Sequence, residues 1–245
     1  MAWKKITDCK TVEEVLDLIS KQYFGNISKE GLFHIFKLCN AYWQHSGNPK
    51  NPHAETTKGL CTNEIFDCLR VLKYIGFSKL LANQLASKIK KDPLFDYENQ
   101  PMWVIGSPMA DITFAHDVAQ ALGAPISMFV EKNPANPKKM LWNRMTIPNG
   151  ELVLQIEEII TTSYTLYEVR RAIIEGNEEP VNFLPYIGVL VHRPLKLVTH
   201  CGKRKVIALI EKEAWAVPQN ECPLCAKGSK RLRPKQHWEE LTGKK

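Results

Sequence analysis

Apolar residues recur at helical spacing through the first ninety positions. Val12, Val15, Leu16 and Ile19 form one stripe. Thr11-Val12-Glu13-Glu14 ahead of it has capping-box spacing, which predicts a helix starting there. A second stripe, Leu32, Ile35, Phe36 and Cys39, predicts a helix from near Ser28. Ser78 to Lys90, with Leu81, Leu85 and Ile89 on one face, predicts another. Between them, residues 45–63 are polar and rich in turn formers, so they read as a loop or irregular hairpin.

From about residue 102 the period changes. Short apolar runs appear at Met102–Gly106, Ile126–Val130, Leu152–Ile156, Pro185–Val191 and Val206–Ile210. Amphipathic helical patterns separate some of them. One carries Phe114, Val118, Ala121 and Leu122 and stops at Gly123; another runs from about Ser163 to Ile174. Buried strands alternating with helices predict an α/β fold with a parallel sheet covered on both faces. Ligands in such sheets sit beyond the C-terminal strand ends. The chain divides into a helical region over 1–95, an α/β core over 96–215 and a basic extension over 216–245.

With 44% hydrophobic and 24% charged residues among 245, the composition is that of a folded chain and excludes a disordered one. No apolar run reaches the roughly 18–20 residues needed to span a bilayer. The first residues have no apolar leader, so a cytoplasmic location is expected. Seven cysteines at irregular spacing do not suggest a disulfide framework. The formal charge of +7 suits a polyanionic small molecule or nucleic acid without choosing between them.

The sharpest local pattern is Val153-Leu154-Gln155-Ile156-Glu157-Glu158-Ile159-Ile160-Thr161-Thr162-Ser163-Tyr164-Thr165. A buried strand runs into two adjacent acids, then a hydroxyl-rich turn, then a helix. Amides and hydroxyls at a helix N-terminus form an anion site suited to a phosphate monoester. An ionised carboxylate is a strong acceptor for a sugar diol. The plain alternative is a strand end with solvated acids and a Thr/Ser cap.

This segment resembles the phosphoribosyl pyrophosphate signature of type I phosphoribosyltransferases. Val104–Ile112 with Ala121-Leu122-Gly123 resembles the family's pyrophosphate loop and its helix, and Phe129–Lys132 through Met140 and Arg144 resembles the strand and mobile catalytic loop that follow. Within the family, His53–Gly59 with Phe66-Asp67 resembles the base-binding loop of orotate phosphoribosyltransferases. Gly188–Arg193 resembles their base-proximal strand, and some relatives share the ending Glu221–Ser229.

The resemblance implies a type I phosphoribosyltransferase-like parallel sheet flanked by helices, with a helical N-terminal hood and a short C-terminal extension. It implies transfer of phosphoribosyl from phosphoribosyl pyrophosphate to orotate, giving orotidine 5′-phosphate and pyrophosphate with Mg²⁺ as cofactor. Glu157 and Glu158 would hold the ribose hydroxyls. Thr161, Thr162, Ser163, Tyr164 and Thr165 would cradle the 5′-phosphate, with Ser107 in the pyrophosphate loop. Lys132, with Lys138 or Lys139, would close over the pyrophosphate; otherwise these lysines are a solvated basic loop. Lys58 and Arg193 would face the base. A homodimer with shared sites is implied as well.

Four departures from the family pattern stand out. Ser163-Tyr164 replaces Gly-Gly in the phosphate loop, where Tyr164 resists close backbone approach and positive φ. Asp111 adds a negative charge to the pyrophosphate loop, Glu131 stands where Arg is frequent, and Lys58 is one place from the usual base-loop lysine.

Arg193 can grip a carboxylate bidentately, or else it is an exposed strand-end residue ahead of Pro194. His192 beside it would add a donor and sharpen orotate preference as pH falls through about 6.5. Cys222-Pro223-Leu224-Cys225 has the spacing of half a zinc site, whose completion would need Cys201, His200 or His237; the alternative is two reduced thiols in a turn. After Ala226 seven Lys/Arg face two Glu, which reads as a solvated extension, with nucleic-acid contact the less expected use. No membrane contact is expected. Two other functions fit the same residues: a phosphoribosyltransferase for a purine or uracil, and a non-catalytic regulator that keeps the donor site.

Overall fold

A computed structural model describes residues 4–22, 24–57, 59–109 and 111–243. Along the chain come α1 (Val12–Lys21), α2 (Lys29–Leu38), β1 (Tyr42–Gln44), β2 (His53–Glu55), β3 (Cys61–Thr62), β4 (Glu64–Phe66), α3 (Leu69–Leu72), α4 (Ile75–Lys90), β5 (Trp103–Gly106) and α5 (Asp111–Leu122). There follow β6 (Ile126–Phe129), β7 (Glu131–Asn133), β8 (Asn136–Leu141), β9 (Leu152–Ile160), α6 (Tyr164–Gly176), β10 (Asn182–His192), β11 (His200–Cys201), β12 (Arg204–Glu211), β13 (Ala216–Val217), β14 (Arg231–Leu232) and α7 (Pro234–Thr242).

The caps read from sequence are present. Thr11 Oγ1 accepts from the Glu14 amide at 3.2 Å, and Ser28 Oγ accepts from that of Gly31 at 3.2 Å. The main sheet has the order β11-β12-β10-β9-β5-β6; its five long strands are parallel and only the short β11 runs antiparallel. β10 begins three residues earlier than the apolar run suggested. Its register with β9 shifts between Phe183 and Ile187, around Pro185, which has no N–H for the ladder.

Side chains alternate across β9 as the strand period requires. Leu154 and Ile156 join Leu81, Leu85, Ile89, Phe114 and Val118 in one core beneath α4 and α5. Val153 packs on the other face with Trp103, Ile105, Val169 and Ile173 of α6. α5 lies so close to β5 that a Cβ on Gly106 would come within 2.9 Å of the Asp111 backbone oxygen. That approach brings Asp111 to the end of the sheet.

Residues 45–63 do contain a hairpin, β2–β3, closed by Thr56 N–H to Leu60 O at 2.8 Å. The C-terminal segment is not a solvated extension. β14 pairs in parallel with β2 and β13 pairs antiparallel with β3, giving a four-stranded sheet β13-β3-β2-β14. Trp238 and Leu241 of α7 are buried with Trp43, Ala54 and Leu232, and Trp238 Nε1 donates to Asn40 O at 2.9 Å. Apolar residues spaced for one helix face outweigh the basic composition that suggested solvation. Among the described residues no disulfide joins the seven cysteines, and no helix is long and apolar enough to cross a membrane.

Candidate active site

The parallel register sets the C-terminal ends of three strands side by side, with Gly106 opposite Ile156 and His192 opposite Ile160. Three segments emerge there: the loop from Ser107, the Thr161–Thr165 turn, and Arg193. The Arg193 amide donates to Ile160 O at 2.8 Å, which fixes it against the start of that turn.

Glu157 and Glu158 lie near the C-terminal end of β9 as expected, but they are not solvated. Glu157 is buried and accepts from Gln155 Nε2 at 3.0 Å, an i, i+2 contact on one strand face. Gln155 also donates to Leu166 O of α6 at 3.1 Å. Glu158 is largely buried, and its Oε2 has no partner among the described residues.

Asp111 joins these two acids. It accepts from the Ser107 hydroxyl through Oδ2 and from the Glu158 amide through Oδ1. Three carboxylates therefore meet in one buried cluster. Burial raises the proton affinity of all three; repulsion from Asp111 adds to it at Glu157 and Glu158, while hydrogen bonds partly offset it at Asp111. Asp111 is pushed up to about 6 and Glu158 to about 8, and Glu157 well above the ordinary carboxylate range, each by burial first. Asp111 thus turns inward, away from the mouth of the pyrophosphate loop where the sequence suggested its charge would lie. Burial by Gly106 and the anchoring hydroxyl of Ser107 account for the turn. Sequence reading set Asp111 in the pyrophosphate loop and missed that it joins the two acids; its place as the first residue of α5 was the signal.

The Thr161–Thr165 turn is exposed except for the half-buried Ser163. α6 starts without a side-chain cap from Ser163 and with no acid in its first turn, so its positive end faces the turn. Positive φ falls on Ser163 (57°), not on Tyr164, which is helical. Ser163 Oγ lies 3.1 Å from Cys201 Sγ, which holds the residue in place. A second positive φ, 84°, occurs at the exposed Met109 in the other loop.

Arg193 is buried rather than exposed. Its Nη2 donates to Thr62 Oγ1 at 2.6 Å and to the Glu64 backbone oxygen, both in the hood, while its Nε has no partner among the described residues. Lys212, just past β12, pairs with Glu64 at 2.9 Å and donates to the Tyr42 hydroxyl at 2.9 Å. These contacts lay the hood over the ends of β10 and β12. His192 is fully buried with neither ring nitrogen partnered among the described residues, and burial lowers its proton affinity.

The segment resembling the mobile loop is the hairpin β7–β8, tied down by a Glu131–Arg144 ion pair and by Arg171 Nη2 to Met140 O at 3.3 Å. Glu131, an unusual residue at its position, thus has a local partner. Lys132 and Lys139 are exposed on this hairpin. Lys58 lies outside the described residues, as does the side chain of Lys138. Cys222 and Cys225 are joined by His53 and Cys61, with donor atoms all within 4.8 Å of one another. Cys201, His200 and His237 are not part of that group. Cys201 lies instead beside Ser163, and His237 beside Glu240 at 3.4 Å.

No family model matches the chain. It is 30% identical over 194 residues to an orotate phosphoribosyltransferase of Pelotomaculum thermopropionicum, covering 79% of this chain and 94% of that one. It is also 30% identical to one of Desulforamulus reducens, over 74% of this chain and 87% of that. In structure it is similar to an orotate phosphoribosyltransferase of Aeropyrum pernix, with a TM-score of 0.50 and 15% identity over 74% of this chain and 93% of that one. A UMP synthase of Leishmania donovani aligns with a TM-score of 0.54 and 14% identity over 81% of this chain and 39% of that longer one. The solved structures carry the type I phosphoribosyltransferase fold, and the 30% identity to the bacterial enzymes extends over most of both chains: the chain belongs to the orotate phosphoribosyltransferase family.

Proposed function

We propose that the protein transfers the phosphoribosyl group of phosphoribosyl pyrophosphate to orotate, forming orotidine 5′-phosphate and pyrophosphate in pyrimidine nucleotide synthesis. The observation that carries this reading is the junction of β9 and α6. There two acids suited to a ribose diol lead directly into an uncapped helix N-terminus suited to its 5′-phosphate.

The bond to pyrophosphate loosens before the bond to the base nitrogen is complete, so positive charge builds on the ribose. Positioning and electrostatics then supply most of the rate. Glu157 and Glu158 hold the ribose hydroxyls and place carboxylate charge near the developing cation. Thr161, Thr162, Ser163, Tyr164 and Thr165 hold the 5′-phosphate, and the Ser107 loop receives the diphosphate. Lys132, with Lys138 or Lys139, offsets the charge of the leaving group when the hairpin closes. Arg193 takes the carboxylate of orotate, and Lys58 serves the base-binding loop.

The oxygen donors of Glu157, Glu158 and Asp111 suit a hard cation, and the unpartnered Glu158 Oε2 leaves one donor open to it. When bound with the donor, Mg²⁺ supplies charge neutralisation of the diphosphate. We place the reaction in the cytoplasm and in a homodimer whose 131–140 hairpins close over neighbouring sites.

A turnover screen of orotate, uracil, hypoxanthine and adenine with phosphoribosyl pyrophosphate and Mg²⁺ tests the reading. Orotate alone should give nucleotide. Turnover of another base in its place would reassign the substrate, and donor binding without turnover of any base would point to a regulator. Partial rescue on mixing Lys132→Ala/Lys139→Ala with Glu157→Gln subunits tests the shared site.

A further inference from the structure

The hairpin that covers the sheet ends is thinly supported. β2 has three residues and β3, β13 and β14 two each, so few ladder bonds hold the four-stranded sheet together. On the β3 side its apolar support is small: Cys61, Cys222 and Leu224, with Trp215, Val217 and Cys225 against them. At this place His53, Cys61 and Cys222 are buried and Cys225 half-buried, and their donor atoms converge.

We propose that His53, Cys61, Cys222 and Cys225 bind a structural Zn²⁺ that clips the base-side hairpin to the C-terminal segment. The spacing fits the ion. Tetrahedral zinc with bonds of about 2.3 Å to sulfur and about 2.0 Å to nitrogen sets its ligand atoms roughly 3.5–3.8 Å apart. Cys61 Sγ and Cys225 Sγ are 3.6 Å apart, and His53 Nε2 lies 3.6 Å from Cys222 Sγ and 3.4 Å from Cys225 Sγ. Four protein ligands close the coordination shell, which marks a structural rather than a catalytic site.

The surroundings select the ligand form of each group. Ser229 Oγ donates to Asn51 O at 2.7 Å, so it receives a hydrogen bond from His53 Nδ1–H, 2.8 Å away. That places the proton on Nδ1 and leaves the Nε2 lone pair aimed at the three sulfurs, the tautomer a metal needs. The Cys225 amide donates to Cys222 Sγ at 3.4 Å across the Cys-Pro-Leu-Cys turn. Gly228 at φ 80° ends that turn and returns the chain to Ser229 and β14. Three thiolates, a neutral imidazole and Zn²⁺ sum to one negative charge, and Arg231, which pairs with Glu55 at 3.1 Å, also lies beside Cys61 and Cys225.

The consequence reaches the hood. Thr62, next to Cys61, accepts from Arg193, so the ion would also fix the strand that positions this guanidinium. Metal binding itself does not depend on which base the protein uses.

The test uses the full chain purified under reducing conditions without chelator. Metal analysis should find about one zinc per chain, a Cys222→Ser/Cys225→Ser variant should hold less than a tenth of that, and Cys9→Ala should keep it all. To keep the test independent of how the double variant folds, the wild-type chain is also stripped and titrated with Co²⁺. The visible bands of tetrahedral cobalt and a sulfur-to-metal charge-transfer band are expected. Stripping should lower the melting temperature by about 5–15 °C. It should also speed hydrogen exchange in 53–62 and 222–232 together, while β9 and β10 stay protected. Wild-type chain that carries no zinc and gives no cobalt spectrum overturns the proposal. So does unchanged zinc in the double variant.

Discussion

Asp111 accepts a hydrogen bond from the backbone amide of Glu158, and this contact fastens the first turn of α5 to the end of β9. It puts a third carboxylate against the two that the family signature supplies. The site is therefore held together by a group that also repels its neighbours' charges.

Asp111→Asn separates these two effects. The Asn side-chain oxygen can still accept from the Glu158 amide, while the negative charge is gone. Repulsion from Asp111 is the second cause, after burial, of the raised proton affinity of both Glu157 and Glu158. If the ribose hydroxyls need ionised acceptors, kcat/KM for the donor rises with pH as the cluster loses protons. In Asp111→Asn that rising limb should move to lower pH by roughly one unit. Asp111→Ala should instead lose stability by about 1–3 kcal/mol, because the Glu158 amide is left unpaired. An unmoved limb in Asp111→Asn would mean that the cluster does not control donor capture.

Glu157→Gln with Glu158→Gln should nearly abolish turnover and weaken donor binding in calorimetry. The same change should stabilise the free protein at alkaline pH. A carboxyl raised on folding contributes stability that is complete below its unfolded value and is lost as pH rises through the folded one. For Glu158 that window runs from 4.5 to about 8, and for Asp111 from 3.8 to about 6. The double variant should therefore melt a few degrees above wild type at pH 8.5 and much nearer to it at pH 4.5. Equal melting at both values would remove the buried-charge account.

Ser163 carries the strain of the phosphate turn. At φ 57° a residue with a Cβ costs about 1–2 kcal/mol that glycine does not. Ser163→Gly removes that cost along with the contact to Cys201. A net gain of about 0.5–1 kcal/mol in denaturant unfolding is expected. Ser163→Val should destabilise the protein, since a branched side chain fits this region worst. If the glycine variant is less stable than wild type, the contact to Cys201 outweighs the backbone strain.

The fold was largely legible because its signals are local. Leu152, Val153, Leu154 and Ile156 put apolar residues on both faces of β9, too many for an exposed strand, and Thr11 and Ser28 sit where a helix needs a cap. The acids were legible for the same reason: they end a strand and precede a turn. Their burial was not, since it depends on Asp111 reaching over from another helix. The partners of Cys222 and Cys225 were equally hidden. His53 and Cys61 flank a turn far away in sequence, and no local spacing ties them to the Cys pair; the pairing of β14 with β2 and of β13 with β3 brings them together. The tail misled for a different reason. Much of its charge count comes from exposed side chains such as Lys227, Lys230 and Lys235, while Leu232, Trp238 and Leu241, which decide where it packs, are few.

Arg193 provides the last prediction. Its guanidinium is anchored to the hood through Thr62 and Glu64, and its Nε is left unpartnered among the described residues. A charge-assisted pair with the orotate carboxylate is worth roughly 1.5–3 kcal/mol. Arg193→Ala should therefore raise KM for orotate about tenfold to a hundredfold, with donor affinity moving much less. Because the residue is buried, the same variant also strands the Thr62 and Glu64 acceptors, and a loss of about 1–3 kcal/mol of stability is expected. Thr62→Val distinguishes positioning from charge. It keeps the guanidinium and removes one anchor, so KM for orotate should rise severalfold with kcat and donor binding little changed. Arg193→Lys should recover only part of the loss, since an ammonium lacks the planar fork. His192 should not add a pH switch near 6.5. Burial lowers its proton affinity, so it stays neutral there and orotate KM should be flat from pH 6.5 to 8 as far as this residue is concerned. If Arg193→Ala leaves orotate kinetics unchanged while donor binding collapses, Arg193 serves the phosphate side of the site, and base selection must rest on the hood.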